Sequence, residues 1–419
     1  MSSEAVEQLT LSSSLGGYDT VAAGLKDTGT APPSLSELWQ QLSLQFPTGD
    51  VKYGVKAFKM TFTRAKDAPQ ETGLLLVPLS IFFWEKFPLL SLQHPTQVER
   101  QYSPSQWNFH DNELTIHIAY LISASGWIVS LPDYPGMGDN YEVHPYCMSS
   151  LGLSVAMMVK ADVDQSKWPF WFKLPWDGRT FLMGFSEGGY ATMAAAKEIQ
   201  SNFPELNLVA ATTLDGPYSL SVTMHDVMLT ADKSFLAPYF LPYTIAGYGA
   251  GYPNISELQF GNAIISDPAG FSTQLYKMLD GSYTSAEIAG FIQQAPNYSG
   301  PISITSQEFQ LALNSVGSTV NQALVQNDGY NGWQPAKKLP LQMFHCPKDD
   351  LVPIGNANNA AAAWSGLPNV GLKTFDCDNT LGSYHAGAML PGYANGIGWL
   401  ESKAGQGAAG SAASHESTR

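Results

Sequence analysis

The residues of this chain best placed to do chemistry surround Ser186. The apolar run Thr180–Met183 leads straight into Gly184-Phe185-Ser186-Glu187-Gly188-Gly189, and the alanine-rich stretch Ala191–Ala196 follows. A strand, a turn too tight for side chains and a helix, in that order, project the serine hydroxyl outwards. The glycines are needed because backbone packs on backbone at such a turn. The helix start aims its free N–H groups and positive dipole end at an oxyanion. The arrangement is that of a nucleophile elbow, and its chemistry is attack on an acyl carbonyl.

A serine hydroxyl needs a base, and the base needs an acid that fixes its tautomer. With this elbow they follow the serine in the order acid, then histidine, each on a loop after a late strand. His345-Cys346-Pro347-Lys348-Asp349-Asp350-Leu351-Val352-Pro353 follows the strand-like Leu341–Phe344. Asp349, three residues before Val352-Pro353, is the expected acid and Asp350 its rival. Otherwise both would cap a helix starting near Pro353. Of the eight histidines, only His385 and His415 follow Asp349. His415 falls in a Gly/Ala/Ser-rich tail, so His385 is the expected base.

One oxyanion donor should be the N–H of Glu187. The other should come from Leu92-Gln93-His94-Pro95-Thr96-Gln97, at Thr96 or Gln97, since Pro95 has no N–H. His94 precedes the serine and is expected to brace this loop. Asp133, in the turn Leu131-Pro132-Asp133-Tyr134-Pro135-Gly136-Met137-Gly138, is expected to be structural at the pocket rim.

These residues need a scaffold, and the pattern supplies one. Strand-length apolar runs occur at Gly54–Thr63, Gly73–Leu79, Pro88–Leu92, Trp127–Leu131, Thr180–Met183, Leu206–Thr213, Leu341–Phe344 and Gly371–Phe375. Period-2 alternation in the first two predicts a hairpin; the later ones read as strands covered on both faces. Helices are expected over Asn112–Ala124, Met148–Val163, Glu187–Ser201, Gly355–Ala363 and Gly387–Leu400. The fold class is α/β, a mostly parallel central sheet flanked by helices. The alternation stops for roughly 125 residues after Thr213, which predicts a mainly helical insertion between late strands. The domain reading is a loosely ordered lead-in over 1–35, a core over 36–217 and 336–401, a cap over 218–335 and a disordered tail over 402–419.

The chain has 419 residues, ample for a large core, and its net charge of −15 argues against nucleic acid as a partner. No run of 18 apolar residues appears, so no transmembrane segment is expected. The acidic first residues show no signal peptide, which leaves the compartment open between cytoplasm and a secreted mature form. Asn254-Ile255-Ser256 and Asn297-Tyr298-Ser299 are sequon-type triplets. The three cysteines, Cys147, Cys346 and Cys377, read as buried free thiols. A Cys346–Cys377 pair is the alternative, if their strands lie side by side.

At this point the sequence resembles the α/β-hydrolase superfamily, and within it the secretory-lipase and bacterial esterase-like branch. The resemblance rests on Gln93–Thr96, Asp133–Gly138, Gly184–Gly189, Leu214-Asp215-Gly216-Pro217-Tyr218, His345–Pro353 and His385, in that order across roughly residues 50–400. Relatives tend to carry glycine where this chain has Pro95. The resemblance implies a carboxylic-ester hydrolase that works through an acyl-enzyme. It implies no metal or organic cofactor and a small-molecule or lipid-like ester as substrate. It also makes residues 218–335 the cap, whose aromatic run Phe235–Tyr243 would line an acyl channel. Phe240 and Tyr239, with Tyr134, are the candidate pocket residues; packing within the cap is the alternative for that run. A serine peptidase, an acyltransferase or a lactone- or thioester-directed enzyme would use the same three residues. A non-catalytic binding module would have no need of them. Oligomeric state is not legible.

Overall fold

The computed structural model describes residues 52–64, 68–82, 84–106, 114–144, 147–164, 173–265 and 270–416, with the backbone alone beyond 405. The expected lead-in over 1–35 lies outside the described residues. The strands are β1 (Gly54–Thr63), β2 (Gln70–Leu79), β3 (Phe87–Gln93), β4 (Ile128–Pro132), β5 (Trp176–Phe185), β6 (Leu208–Leu214), β7 (Leu341–His345) and β8 (Val370–Thr374). They form one sheet in the order β1-β2-β4-β3-β5-β6-β7-β8. The predicted hairpin is present, with β1 antiparallel to β2 and β2 antiparallel to β4. Every pairing from β4 through β8 is parallel. This is the α/β-hydrolase fold. β1 alternates in burial as an edge strand should, whereas β2 is buried along nearly its whole length because helices cover both its faces.

Before the insertion come α1 (Leu114–Ala124), α2 (Met148–Val163) and α3 (Glu187–Asn202). Between β6 and β7 lie α4 (His225–Thr230), α5 (Phe240–Gly251), α6 (Phe260–Ala263), α7 (Phe271–Met278), α8 (Ser285–Gln293), α9 (Gln307–Asn314) and α10 (Thr319–Gln326). After them come α11 (Gly355–Ala363) and α12 (Tyr384–Glu416). One core joins the sheet to α2, α3 and α11 through Leu151, Val155, Met193 and Ala357. A second joins the other face to α1 and α12 through Ile118 and Ile397. The inserted helices bury a third core of their own, around Leu275, Ile288, Ile292, Phe309 and Val320. Their starts are written locally: Thr284 and Glu287 form a capping box on α8, and Ser306 and Ser318 cap α9 and α10.

One expectation fails at the C-terminus. Residues 402–416 are not an irregular tail but the continuation of α12. Composition misled here: the glycines suggested a break, but the many alanines favour helix and α12 is already nucleated. Pro391 also stands inside this helix. Among the described residues, no helix is long and apolar enough to cross a membrane.

Asp162 of α2 is fully buried beside the Ser130 side chain of β4. Burial pushes its carboxyl up from 3.8 to about 8, with Ser130 opposing. Below the unfolded value both states hold the proton. Between the two values only the unfolded chain ionises, so stability falls as pH rises, by about 1.4 kcal/mol per unit, and levels off above the folded value. Asp162→Asn should therefore gain melting temperature relative to the parent on going from pH 5 to pH 8. Melts at the two pH values check it; an unchanged gap would show that Asp162 ionises normally in the folded protein.

Candidate active site

Ser186 joins β5 to α3 with φ 59° and ψ −124°, a backbone conformation that costs a residue with a side chain about 1–3 kcal/mol. The turn is pinned from both sides: Ser186 N–H donates to Leu214 O at 2.8 Å, and Tyr190 N–H donates to Ser186 O at 3.1 Å. Glycine is obligatory beside it, since a methyl on Gly184 would overlap the Gly188 carbonyl and one on Gly188 would overlap the Gln93 carbonyl.

The sheet then brings the predicted partners together. His385, in the first turn of α12, has Nε2 2.8 Å from Ser186 Oγ and donates from Nδ1 to Asp349 Oδ2 at 2.6 Å. The other oxygen of Asp349 accepts from the N–H groups of Leu351 and Val352 at 3.0 and 2.8 Å, which fixes the carboxylate towards the imidazole. All three are buried. Asp350, the rival acid, turns instead to the start of α12, accepting from Tyr384 N–H and His385 N–H at 3.2 Å each. It holds the histidine by its backbone and not by its ring. Neither aspartate caps α11, which was the alternative for the pair.

The expectation of three free thiols is corrected, and the alternative pairing is the one present. Cys346 and Cys377 are joined, with Cα atoms 6.0 Å apart; Cys147 is free and buried. The pairing follows from the sheet, because β7 and β8 are parallel neighbours with His345 opposite Thr374, so both cysteines leave the same end. The bond ties the loop carrying Asp349 to the loop leading to His385.

Asp215, at the end of β6, has no expected role yet lies directly behind Asp349. It is buried, with φ 44°, and accepts from Cys346 N–H at 2.7 Å. Burial first, and the neighbouring Asp349 second, push its carboxyl well above the usual range. Its only signal in sequence was an acid before Gly-Pro where a strand ends. Burial lowers His345, whose Nε2 donates to Val352 O at 2.8 Å. Asp215, His345 and Asp349 offer ligand-type atoms within 4.8 Å of one another; Asp215 Oδ1, His345 Nε2 and Asp349 Oδ2 are hydrogen-bonded, while Asp215 Oδ2 and His345 Nδ1 are buried without a partner among the described residues.

An apolar cavity opens at Ser186 and runs into the insertion, past Met228, Phe240, Ile245, Leu313, Val320 and Leu324. Thr96 and Glu187 border it and Gln97 does not. Of the expected pocket residues, only Phe240 lines it. Tyr239 packs on Phe240 and on the acid loop's Leu351 and Val352. Tyr134 is buried behind the loop after β3, its ring stacked 4.1 Å from that of His94. An aromatic side chain near a site is as easily its support as its wall, and sequence does not separate the two.

A family model for secretory lipases matches residues 109–411. The chain belongs to the secretory lipase family. It is a serine hydrolase of carboxylic esters, and a small-molecule ester is its substrate. Solved structures agree on the fold. A Legionella pneumophila protein provisionally described as a hydrolase superposes with a TM-score of 0.72 at 23% identity, over 88% of this chain and 94% of that one. The rice cell wall degrading esterase LipA from Xanthomonas oryzae gives 0.65 at 23%, over 84% and 91%. Candida antarctica lipase A in its closed state gives 0.54 at 13%, over 77% and 73%. No curated protein sequence matches the chain.

The cross-link generates a test for this member of the secretory lipase family. It closes a separation of 31 residues, so its loss should cost about 3–4 kcal/mol on loop entropy. Cys346→Ser with Cys377→Ser, or dithiothreitol on the parent, should lower both melting temperature and ester turnover, while Cys147→Ser should not affect turnover. Full turnover in the reduced protein would mean that the two loops hold their geometry without the bond.

Proposed function

We propose that Ser186 is the nucleophile, His385 the general base and then acid, and Asp349 the group that orients the imidazole. Ser186 gives its proton to His385 Nε2 as Oγ attacks the acyl carbonyl, and the imidazolium returns it to the departing alkoxide. Water then repeats the sequence on the acyl-enzyme. The N–H of Glu187 is one oxyanion donor, and Thr96 is favoured over Gln97 as the second because it borders the cavity with Ser186. The observation that carries the reading is the unbroken Ser186–His385–Asp349 hydrogen-bond chain at the mouth of an apolar cavity.

The insertion acts as a cap and its cavity as the site of an aliphatic acyl chain, so the substrate is a lipid-like ester. The wall's apolar character supports this over a polar leaving group or a peptide. The family match lends the peptidase, acyltransferase and thioester alternatives no support.

Ser186→Ala should remove labelling by a fluorophosphonate and lower kcat on the order of 10⁶-fold without loss of fold. Asp349→Asn should cost about 10⁴-fold through the wrong tautomer, whereas Asp350→Asn should cost about 1 kcal/mol of helix-start stability and little turnover. The reverse ranking would transfer the acid's role. Phe240→Ala should move chain-length preference across a p-nitrophenyl ester series by about tenfold or more. A flat profile with a large thermal loss would reduce Phe240 to cap packing.

A further inference from the structure

Glu187 stands next to the nucleophile, and its side chain is as constrained as its backbone. It is buried, with Oε1 2.5 Å from Nε2 of His144, and it is also hydrogen-bonded by the Thr96 side chain. The other ring nitrogen of His144 lies 2.8 Å from Pro135 O. A carbonyl and a carboxylate are both acceptors, so these two bonds require one proton beyond a neutral imidazole and a carboxylate. Whichever atom holds it, the Glu187–His144 pair is net neutral.

The pair is built into the support of the oxyanion-side loop. Tyr134, at φ 71°, lies nearly parallel to His144 at 5.9 Å and 9°, and stacks on His94 at 4.1 Å and 26°. Its hydroxyl donates to His94 O at 3.0 Å, and His94 Nδ1 lies 2.7 Å from Pro95 O. The groups facing Glu187 are thus His144 from the segment before α2, His94 and Thr96 from the loop after β3, Tyr134 from the turn after β4, and Tyr190 from α3. Burial alone would raise Glu187, yet His144, His94 and Thr96 together bring it below its ordinary value.

An anion at this position has a consequence for catalysis. Negative charge develops on the substrate oxygen at the N–H of Glu187, and a bare carboxylate one side chain away, screened from water, opposes it. We propose that His144 is a positioning residue that neutralises the Glu187 carboxylate beside the oxyanion site and keeps Thr96 in register, a role resting on the ester-hydrolase mechanism above. Sequence offered no sign of it, since His144 lies in a stretch without a motif.

The test is a charge-removal cycle on the full chain, with p-nitrophenyl butyrate turnover, melting temperature and fluorophosphonate labelling measured on each variant. His144→Gln keeps a donor towards Glu187 and much of the ring's volume but carries no titratable proton. It should lower kcat on the order of 10²-fold with KM little changed, as loss of oxyanion stabilisation does. Adding Glu187→Gln should then raise kcat above that of the single His144→Gln variant by about tenfold, because the uncompensated charge is gone. His144→Gln with parental kcat, or a double variant no faster than the single one, would overturn the proposal. If the single variant melts too low to assay, the double variant decides: a folded double variant that is also slower by more than about 10³-fold assigns His144 to packing and rejects the counter-charge. Labelling of Ser186 separates the two readings, since labelled protein indifferent to His144 refutes this inference alone, and unlabelled parent refutes the nucleophile.

Discussion

A serine cannot rest at φ 59° and ψ −124° unless something holds it there. Here the holding is done by main chain. β5 delivers Ser186, the carbonyl at the end of β6 takes its N–H, and Tyr190 in the first turn of α3 takes its carbonyl. Because Gly184 and Gly188 have no side chains, β3 can lie against the turn closely enough to leave its own loop beside the hydroxyl. The site depends on that contact. With the hydroxyl fixed, the parallel register of β6, β7 and β8 determines where Asp349 and His385 emerge.

Much of this was legible because it is governed by local rules. Short apolar runs between helices read as buried parallel strands, and a glycine-flanked serine between strand and helix has few other uses. Chain order narrowed the histidines to His385 and His415, and the composition of the tail set His415 aside. The rest depended on spatial neighbours. Cys346 and Cys377 become partners only once β7 lies beside β8, and Tyr134 became support and not wall only once its ring met His94. Asp215 and His144 matter through groups far away in sequence: the motif around Asp215 does not reveal its place behind Asp349, and no motif announces His144. The end of α12 is illegible for the opposite reason, since its glycines point to a break while its alanines carry helix propensity.

The charges around the site follow one pattern. Carboxyl groups are placed in a dry interior, and each is matched with a proton or a donor. Asp349 has His385 and two N–H groups, Asp215 has the N–H of Cys346, and Glu187 has a histidine. Unmatched, any of them would shift charge onto the reacting atoms in a medium that screens poorly. The apolar cavity wall extends the same dryness into the insertion.

The bond from Ser186 to His385 spans 199 residues of sequence. A ribosome delivers the elbow long before it delivers the histidine, and the intervening chain includes the whole insertion. Contacts of such separation form late, after the loop between them has been closed. On the mechanism proposed above, Ser186 therefore stays an ordinary alcohol through most of synthesis and folding and meets its base only when the last helix docks. With those roles, a hydrolase of esters is inert while it is still unfolded and exposed, and gains its activity as the final act of becoming compact.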